Sequence, residues 1–344
     1  MLLFQKMRLN NEKEKLSEAI LTWSMGRDKF LNVRSLPYNS SEIFIKVILH
    51  YVFNHKKVMY ITNESSEKVD IIEKMKKYTG FRSYAYLRNN EVESSALLKI
   101  SNFYNASKIV EKFDLIIYDD INSFPMQNIY EILGLITKIS KSNTKVLMYA
   151  VENIMRNKKE FLLPVRDNKS PIIEPRTILT RIDVNKDIPF MVYDYIKWSI
   201  SCGRKVIICV PSKDKVPKVH FYIRNYCSGF TKSIMDLYKE GDSNGNKKII
   251  NNFEKVKRSI LITNNFYETF SNIKNIDIMV YFADDAEFDY KKLIYFCASA
   301  GRSERDLKGE VIFLANEETE DMEKAKSIAR SFNKEAWEMG LLRI

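Results

Sequence analysis

The sequence has little glycine and proline and no long apolar run, and each shortage excludes a class of structure. Its 344 residues include 10 glycines and 8 prolines, so we expect no long flexible or collagen-like segment. No apolar run approaches the roughly 18 residues that a membrane-spanning helix needs. The apolar residues Leu2, Leu3 and Phe4 are too few for the core of a signal peptide. We therefore expect a cytoplasmic protein with no membrane span.

Cysteine and histidine are also scarce, which excludes the common zinc and disulfide frameworks. The chain has 4 cysteines and 3 histidines, and they form no C-x-x-C pair and no zinc-finger spacing. His50 and His55 lie five positions apart, whereas neighbours on one helix face are three or four positions apart. We therefore predict neither a structural metal site nor a disulfide bond.

Positive charge, by contrast, is in excess. The chain has 55 lysines and arginines against 44 acidic residues, a formal net charge of +11. Such an excess suits a polyanionic partner such as nucleic acid, because cations that neutralise phosphates release counterions. A generally basic proteome would give the same excess with no nucleic acid involved. Charge alone leaves both interpretations open.

An alternation of strands and helices runs along the chain, which predicts crossover connections and parallel sheets. The stretch 165–175 is rich in charge and proline and has no periodicity, so we interpret it as a linker. The pattern restarts beyond it, which predicts two α/β domains, residues 1–170 and 171–344. The predicted strands are Phe30–Arg34, Val58–Thr62, Leu115–Tyr118, Val146–Ala150, Lys205–Val210, Ile260–Thr263, Ile276–Tyr281 and Glu310–Leu314; helices are predicted at 11–25 and 318–342, and a polar loop at 241–246.

One predicted strand ends in two acids. The segment 113–120 reads Phe-Asp-Leu-Ile-Ile-Tyr-Asp-Asp, and an apolar strand that ends in carboxylates is what a Walker B motif requires. The carboxyl end of a parallel strand faces the ligand crevice. Asp119 is therefore the candidate catalytic ligand of Mg²⁺, and Asp120 the candidate that orients the attacking water. The alternative is a strand that ends in a solvated acidic turn.

The segment between the first strand and its helix is where a phosphate-binding loop would lie. Residues 34–42 contain neither glycine nor lysine, so the backbone cannot easily turn its N–H groups onto phosphate. Ser40 falls at the lysine position and Ser41 at the Mg²⁺-binding hydroxyl position, which makes them the candidate nucleotide-binding residues. Lys46 is the nearest lysine, at the wrong spacing. ATP with Mg²⁺ would bind here only weakly; the alternative is that Ser40 or Ser41 caps the helix.

A candidate arginine finger lies near the other end of the chain. Arg302 follows Ala300-Gly301, and an arginine on such a turn of a second lobe can contact a γ-phosphate. The alternative is a surface arginine after a glycine turn. We therefore count Arg302 as a candidate catalytic residue together with the two acids of the Walker B-like strand.

Taken together, three segments resemble the ComF operon protein A family, the helicase-like ATPases of competence DNA uptake. Asp119–Pro125 is similar to that family's D-E-V-D-A-F-P motif, and Gly203–Ser212 is similar to its Gly-Arg, strand and Val-Pro-Ser segment. Tyr295–Arg302 with Gly309–Val311 resembles its last helicase motif. The resemblance implies two RecA-like parallel-sheet lobes of a superfamily-two helicase. It also implies nucleic acid, with single-stranded DNA favoured, bound between the lobes, and competence-machinery proteins as candidate partners.

The chain departs from that family at positions that the family uses for nucleotide. Tyr295 and Ser299 replace a glutamine and an arginine of the last motif. Glu268-Thr269-Phe270 replaces a Glu-Arg-Gly motif, and Tyr149-Ala150-Val151 replaces a Thr-Ala-Thr motif. Asp120 replaces a glutamate and is one methylene shorter. The phosphate-binding loop is lost as well.

These departures predict a pseudo-enzyme that keeps the two-lobe fold and binds DNA with impaired or absent ATP hydrolysis. Each electrostatic contact to a transferring phosphoryl group can be worth orders of magnitude in rate, and several are missing. Two alternatives remain open at this point. One is an active but divergent DNA-dependent ATPase or helicase, and the other is a protein-interaction scaffold without ligand.

Overall fold

The computed structural model describes residues 2–88, 95–239, 241–266, 273–302 and 309–342. The chain divides into two compact units: Met1–Lys169 with Ala336–Ile344, and Ser170–Glu335. The last nine residues, which the sequence interpretation assigned to the second domain, thus group with the first unit. Among the described residues no helix combines the length and the apolar character that a membrane crossing requires.

The first unit is built on a seven-stranded sheet in which every strand pair is parallel. Its strand order is β3-β4-β2-β5-β6-β1-β7. Its elements in chain order are α1 Leu2–Met25, β1 Phe30–Ser35, a 3-10 turn Ser41–Phe44, α2 Ile45–Phe53, β2 Val58–Thr62, α3 Asp70–Thr79, β3 Tyr84–Tyr86, β4 Leu98–Ser101, α4 Phe103–Ala106, β5 Phe113–Asp119, α5 Ile129–Ile139, β6 Ser140–Ala150 and β7 Lys159–Leu163.

The central strands of this sheet are buried on both faces. Every residue of β2 is buried, and strands covered on both faces appear in sequence as continuous apolar runs. On one face α5 presents Ile132, Leu135, Ile136 and Ile139 to the core, a spacing that places them on a single helix stripe. Asn128 caps α5 by accepting the N–H of Glu131 at 3.0 Å, which fixes where the helix begins.

The second unit has a six-stranded sheet, again with every strand pair parallel. Its strand order is β10-β11-β9-β12-β13-β8. The elements are β8 Arg176–Leu179, α6 Phe190–Ser201, β9 Lys205–Cys209, α7 Lys215–Cys227, β10 Ser233–Leu237, α8 Ser243–Lys255, β11 Ser259–Thr263, β12 Ile276–Tyr281, α9 Tyr290–Ser299, β13 Val311–Ala315 and α10 Glu320–Glu338.

The fold-class prediction of two parallel-sheet α/β lobes is confirmed. One local prediction is wrong in part: within the stretch 241–246, residues 243–246 form the first turn of α8 rather than a loop, and Gly241 and Asp242 precede the helix. Asp242 caps this helix by accepting the N–H of Gly245 at 2.9 Å. The apolar period of α8 begins only beyond the capped first turn, which is why composition favoured a loop there.

Candidate nucleotide-binding site

The structure brings the predicted nucleotide segments of the first unit to one edge of its sheet. The Tyr38 N–H donates to the carbonyl of Ile121 at 2.9 Å, which ties the loop after β1 to the loop after β5. The Asp120 N–H donates to the Tyr149 carbonyl at 2.9 Å, and the Tyr149 hydroxyl donates to the Ser40 carbonyl at 3.3 Å. The candidates in both loops therefore share the carboxyl edge, as expected for parallel strands.

The loop after β1 is closed by its own side chains. Asn39 is buried, and its Nδ2 donates to Ser35 Oγ at 2.8 Å and to the Val165 carbonyl at 2.9 Å. Tyr38 has a φ of +63°, a left-handed conformation that costs a non-glycine residue about 1–2 kcal/mol. Glycines would leave room at these positions for a phosphate to approach the backbone. Here side chains occupy that room.

A carboxylate lies at the helix start where an anion would bind. Asp70, the first residue of α3, accepts from both the Ser41 N–H and the Ser41 hydroxyl at 2.7 Å. The Ser40 hydroxyl donates to the same Asp70 oxygen at 3.3 Å. Ser40 also accepts the N–H of Glu42 at 3.3 Å and so acts as the N-cap of the turn. The two candidate nucleotide-binding serines are therefore engaged by a carboxylate of the chain itself.

The nearby lysines are paired with acids of the same unit. Lys13, a buried residue of α1, contacts Glu42 and Asp167 with both N–O distances at 2.6 Å. Burial alone would lower the pKa of Lys13, but the charges of Asp167 and Glu42 outweigh it and the pKa is raised. Lys46 donates to two acids of α1, Glu14 and Glu18. The ammonium groups of both lysines are therefore engaged by acids of the chain.

Both carboxylate oxygens of Asp119 accept hydrogen bonds from nearby groups of the protein. One of its oxygens accepts the N–H groups of Ile121 at 2.9 Å and Asn122 at 3.1 Å. The other accepts Asn122 Nδ2 at 2.9 Å and the Tyr60 hydroxyl. The residue is 2% exposed. Burial raises the pKa of Asp119 to about 6, although these hydrogen bonds act in the opposite direction. Its geometry is that of a buried turn acceptor.

A third acid, Glu64, completes a group of carboxylates at this edge. Its Oε1 accepts the Asp70 N–H at 3.1 Å. Burial, followed by the charge of Asp119, raises the pKa of Glu64 to about 9. Burial therefore favours the protonated form of Glu64, and the charge of Asp119 adds to that preference. Within the described residues, no group of three or more acids, cysteines and histidines is arranged to hold a metal ion.

Replacing Glu64 by glutamine is expected to raise stability at pH 8 and to flatten its dependence on pH. The folded wild-type chain keeps a proton that the unfolded chain loses above a pKa of 4.5. Its stability therefore falls as pH rises from about 4.5 to about 9, by at most ~1.4 kcal/mol per pH unit. Thermal melts between pH 5 and pH 9 measure this slope. The exposed neighbour substitution Glu67→Gln is the control, and identical profiles for Glu64→Gln and wild type would contradict the assignment.

Arg302 belongs to the second unit, just beyond α9. It is half-buried, and it follows Gly301, whose φ is +66°. The Gly301 carbonyl accepts from Ser170 Oγ at 3.3 Å. A Cβ atom at Gly309 would lie 2.9 Å from the Gly301 nitrogen, so packing requires a glycine at the start of the Gly-Glu-Val segment. The turn that carries Arg302 is thus fixed by close backbone contacts.

The other departures from the helicase pattern have structural roles where they are described. Tyr295 and Ser299 are buried in α9, and the Ser299 hydroxyl donates to the Tyr295 carbonyl at 2.9 Å. Tyr149 packs edge-on against Phe44 with ring centroids 4.9 Å apart. Glu268-Thr269-Phe270 lies outside the described residues.

Sequence reasoning missed Asp70, Glu64 and Lys13. Lys13 and Asp70 act through side chains that reach distant segments: Lys13 and Glu42 are 29 positions apart, and so are Ser41 and Asp70. Glu64 accepts from Asp70, six positions along the chain. The available signal for Asp70 was only an acid in the first turn of a helix, which is common in any helix.

No known protein family and no curated protein matches the sequence. Solved structures do match the fold. Dbp5 of S. cerevisiae bound to RNA and ADP BeF3 gives a TM-score of 0.56 at 12% identity, over 90% of this chain and 87% of that chain. RecG bound to a three-way DNA junction gives 0.57 at 11% identity, over 96% of this chain and 46% of that chain. Mss116p bound to single-stranded RNA and AMP-PNP gives 0.52 at 14% identity, over 84% and 66%.

The chain therefore has two RecA-like parallel-sheet lobes, the fold that it shares with these structures. At 11–14% identity the likeness establishes the fold, and function has to be argued from the residues of this chain.

Proposed function

We propose that this protein is a helicase-like nucleic-acid-binding protein that acts without ATP hydrolysis. Structures with the same fold are bound to RNA or to DNA, and the net charge of +11 suits a phosphate backbone. The resemblance to the ComF operon protein A family favours single-stranded DNA as the ligand. The same resemblance makes competence-machinery proteins the partners that we propose.

The proposed absence of hydrolysis rests on a single observation, the contact between Asp70 and Ser41. The helix N-terminus that would donate its N–H to a phosphate donates it to a carboxylate at 2.7 Å. A phosphate placed there would meet a like charge inside a partly buried site, which is unfavourable. It would also find no lysine, because the lysines nearest the loop are paired with acids.

The acids of the Walker B-like strand support the same proposal. A Mg²⁺ ligand needs oxygens that are open to the ion, whereas both oxygens of Asp119 already accept hydrogen bonds. We propose that Asp119 and Asp120 are retained for the architecture of the turn, and that Ser40, Ser41 and Arg302 have no nucleotide to contact.

Titration of the purified chain with fluorescent single-stranded DNA, with and without Mg-ATP, tests this proposal. We expect binding that weakens between 50 and 200 mM salt by an order of magnitude or more, which counterion release predicts for several phosphate contacts. We expect Mg-ATP to change neither the affinity nor the salt slope. A matched series with single-stranded RNA and with duplex DNA identifies the preferred strand.

Two results would overturn the proposal. DNA-stimulated ATP hydrolysis that is lost in Asp120→Asn would show that the divergent site still works as an ATPase. An absence of binding to every nucleic acid in the series would favour the interaction scaffold instead. The hydrolysis assay is also made on Asp70→Ala, which removes the carboxylate that contacts Ser41. Glu73→Ala, on the same helix, leaves that contact intact and is the control.

A further inference from the structure

The amino edge of the first sheet carries a continuous group of cations. In a parallel sheet the segments that enter the strands meet at this edge, opposite the edge that holds the candidate nucleotide residues. The segments that enter β1, β6, β5 and β2 belong to four adjacent strands. At about 4.8 Å per strand they cover roughly 15 Å of surface. The amino-edge patch consists of Arg27, Lys29, Lys56, Lys57, Lys141 and Lys145.

Contacts between these segments show that the patch is continuous. The Lys29 ammonium donates to the Ser142 carbonyl at 2.7 Å, and the Lys145 ammonium donates to the Asp28 carbonyl at 2.6 Å. These bonds join the entry to β1 with the entry to β6. Lys141 in turn contacts Asp114 of β5 at 2.7 Å, and the Lys57 N–H donates to the same carboxylate at 2.9 Å. The chain of contacts therefore runs across all four strands.

Two of the acids at this edge are paired with lysines, and a third, Asp28, is exposed. Glu111 contacts both Lys57 at 2.6 Å and Lys99, and Asp114 contacts Lys141. Within the described part of the chain no ion pair involves Arg27 or Lys56, and both are exposed. Lys29 is exposed and contacts only a backbone carbonyl among the described residues. Positive charge is therefore in excess here.

Helix C-termini explain part of this charge. The helices α1, α2 and α3 end at the amino edge, and cations near a helix C-terminus are favourable. Lys145 illustrates this role, since it donates to the Gly26 carbonyl just beyond α1 at 2.6 Å. Among the described residues the Arg27 side chain makes no such bond, and the Lys56 ammonium lies over the ring of Tyr51 in α2, 5.2 Å from its centroid. Phe53, the last residue of α2, packs edge-on against Phe81 with ring centroids 6.3 Å apart and is still 69% exposed.

The carboxyl edge of the first sheet carries acids beside its cations. Asp70, Asp119 and Asp120 lie there, with Glu67 on the adjoining loop. Of these acids Asp119 and Asp120 are buried and Glu67 is exposed, whereas the amino edge presents exposed cations beside an exposed aromatic ring. Lysines and arginines that follow a backbone, combined with aromatic side chains on which bases stack, are the features of single-strand binding surfaces.

We infer that the amino-edge patch, with Phe53 beside it, binds a single-stranded nucleic acid on the side of the first unit opposite the candidate nucleotide site. This inference rests on the proposed function and specifies the surface that performs it. The exposed cations contact phosphates and Phe53 stacks against a base. The aromatic ring selects a single strand over a duplex, because the bases of a duplex are not available for stacking on it.

Charge reversal tests the patch. The triple variant Arg27→Glu, Lys29→Glu, Lys56→Glu changes three exposed side chains, and the probe is fluorescein-labelled oligo(dT) and oligo(rU), measured by anisotropy from 50 to 200 mM salt. We expect the affinity to fall by about tenfold or more and the salt slope to decrease by about 2, because each lost phosphate contact contributes about 0.7. Phe53→Ala, which leaves every cation in place, is expected to lower the affinity by about tenfold with an unchanged slope.

Two controls separate location from overall charge. Lys186→Glu, Lys197→Glu, Lys218→Glu makes the same charge change on exposed positions of the second unit, and we expect at most a threefold loss. Lys68→Glu with Arg88→Glu reverses cations beside the carboxyl edge, and we expect a similarly small loss. Melting temperatures of all variants are measured to confirm that each one is folded.

Each outcome bears on a different proposal. Wild-type protein that binds no nucleic acid would remove the proposed function and this inference with it. If the wild type binds, an unchanged affinity in the amino-edge triple variant and in Phe53→Ala would overturn the inference alone. Equal losses in the two triple variants would also overturn it, because they would show a general effect of net charge. A loss confined to the Lys68 and Arg88 variant would place the strand at the carboxyl edge.

Discussion

The Asp277→Ala variant is expected to lose about 3–5 kcal/mol of unfolding free energy, because it leaves a buried arginine without its carboxylate. The Arg204 Nε donates to both Asp277 oxygens at 2.9 Å. The side chains of Arg204 and Asp277 are only 9% and 2% exposed. Asp277 also accepts the Ser199 hydroxyl and the Glu310 N–H, the latter at 2.9 Å. One carboxylate thus joins α6, β12 and the entry to β13.

Urea unfolding of the wild type and of Asp277→Ala measures this loss. The matched control is Asp183→Ala, which breaks an ion pair with Lys186 at 3.1 Å whose side chains are 47% and 81% exposed. Exposed pairs contribute about 0–1 kcal/mol, so the control should stay within that range. Comparable losses in both variants would refute the view that burial makes the Asp277 pair important.

The second large effect is expected for Asp119→Ala, which should lower the free energy of unfolding by about 3 kcal/mol or more. The substitution removes the acceptor of two backbone N–H groups, one amide and the Tyr60 hydroxyl. Each buried donor that is left unsatisfied costs about 1–3 kcal/mol. A residue kept only as a metal ligand would show no such loss in the absence of metal.

The pH dependence of this variant gives an independent readout. Burial raises the pKa of Asp119 to about 6, so the folded wild-type chain keeps a proton that the unfolded chain has lost. Wild-type stability therefore falls as pH rises from about 4 to about 6, and this slope should be missing in Asp119→Ala. The control is the exposed Asp28→Ala, for which we expect a change below about 0.5 kcal/mol. A stable Asp119→Ala variant with a wild-type profile would contradict the buried-acceptor role.

The sequence was most informative where strands are buried on both faces. β2, β5 and β9 appear as apolar runs, and the predicted bounds agree with the structure to within two residues. The strands that the pattern missed include β3, β7, β8 and β10, which lie at sheet edges and are largely half-buried or exposed. An edge strand has fewer apolar neighbours, so its residues show a weaker pattern.

For the candidate site, too, the sequence predicted one part of the arrangement and not the other. The position of Asp119 and Asp120 at the end of a buried strand followed from local pattern, and so did Ser40 at a helix start. Their hydrogen-bond partners did not, because Tyr60 and Asp70 are brought in by the folding of separate segments. Local sequence can place a carboxylate at an edge, but the tertiary structure decides whether its oxygens remain open.

Under the proposed function, the contact between Asp70 and Ser41 has a consequence for any phosphate that reaches this loop. A tethered carboxylate competes with any dissolved phosphate at a high effective concentration, since its position is set by the fold rather than by diffusion. A lysine introduced at position 40 would arise beside Asp70, whose oxygen lies 3.3 Å from Ser40 Oγ, and would form an internal ion pair. A lysine at position 40 would therefore be free to contact a phosphate only if Asp70 were replaced as well.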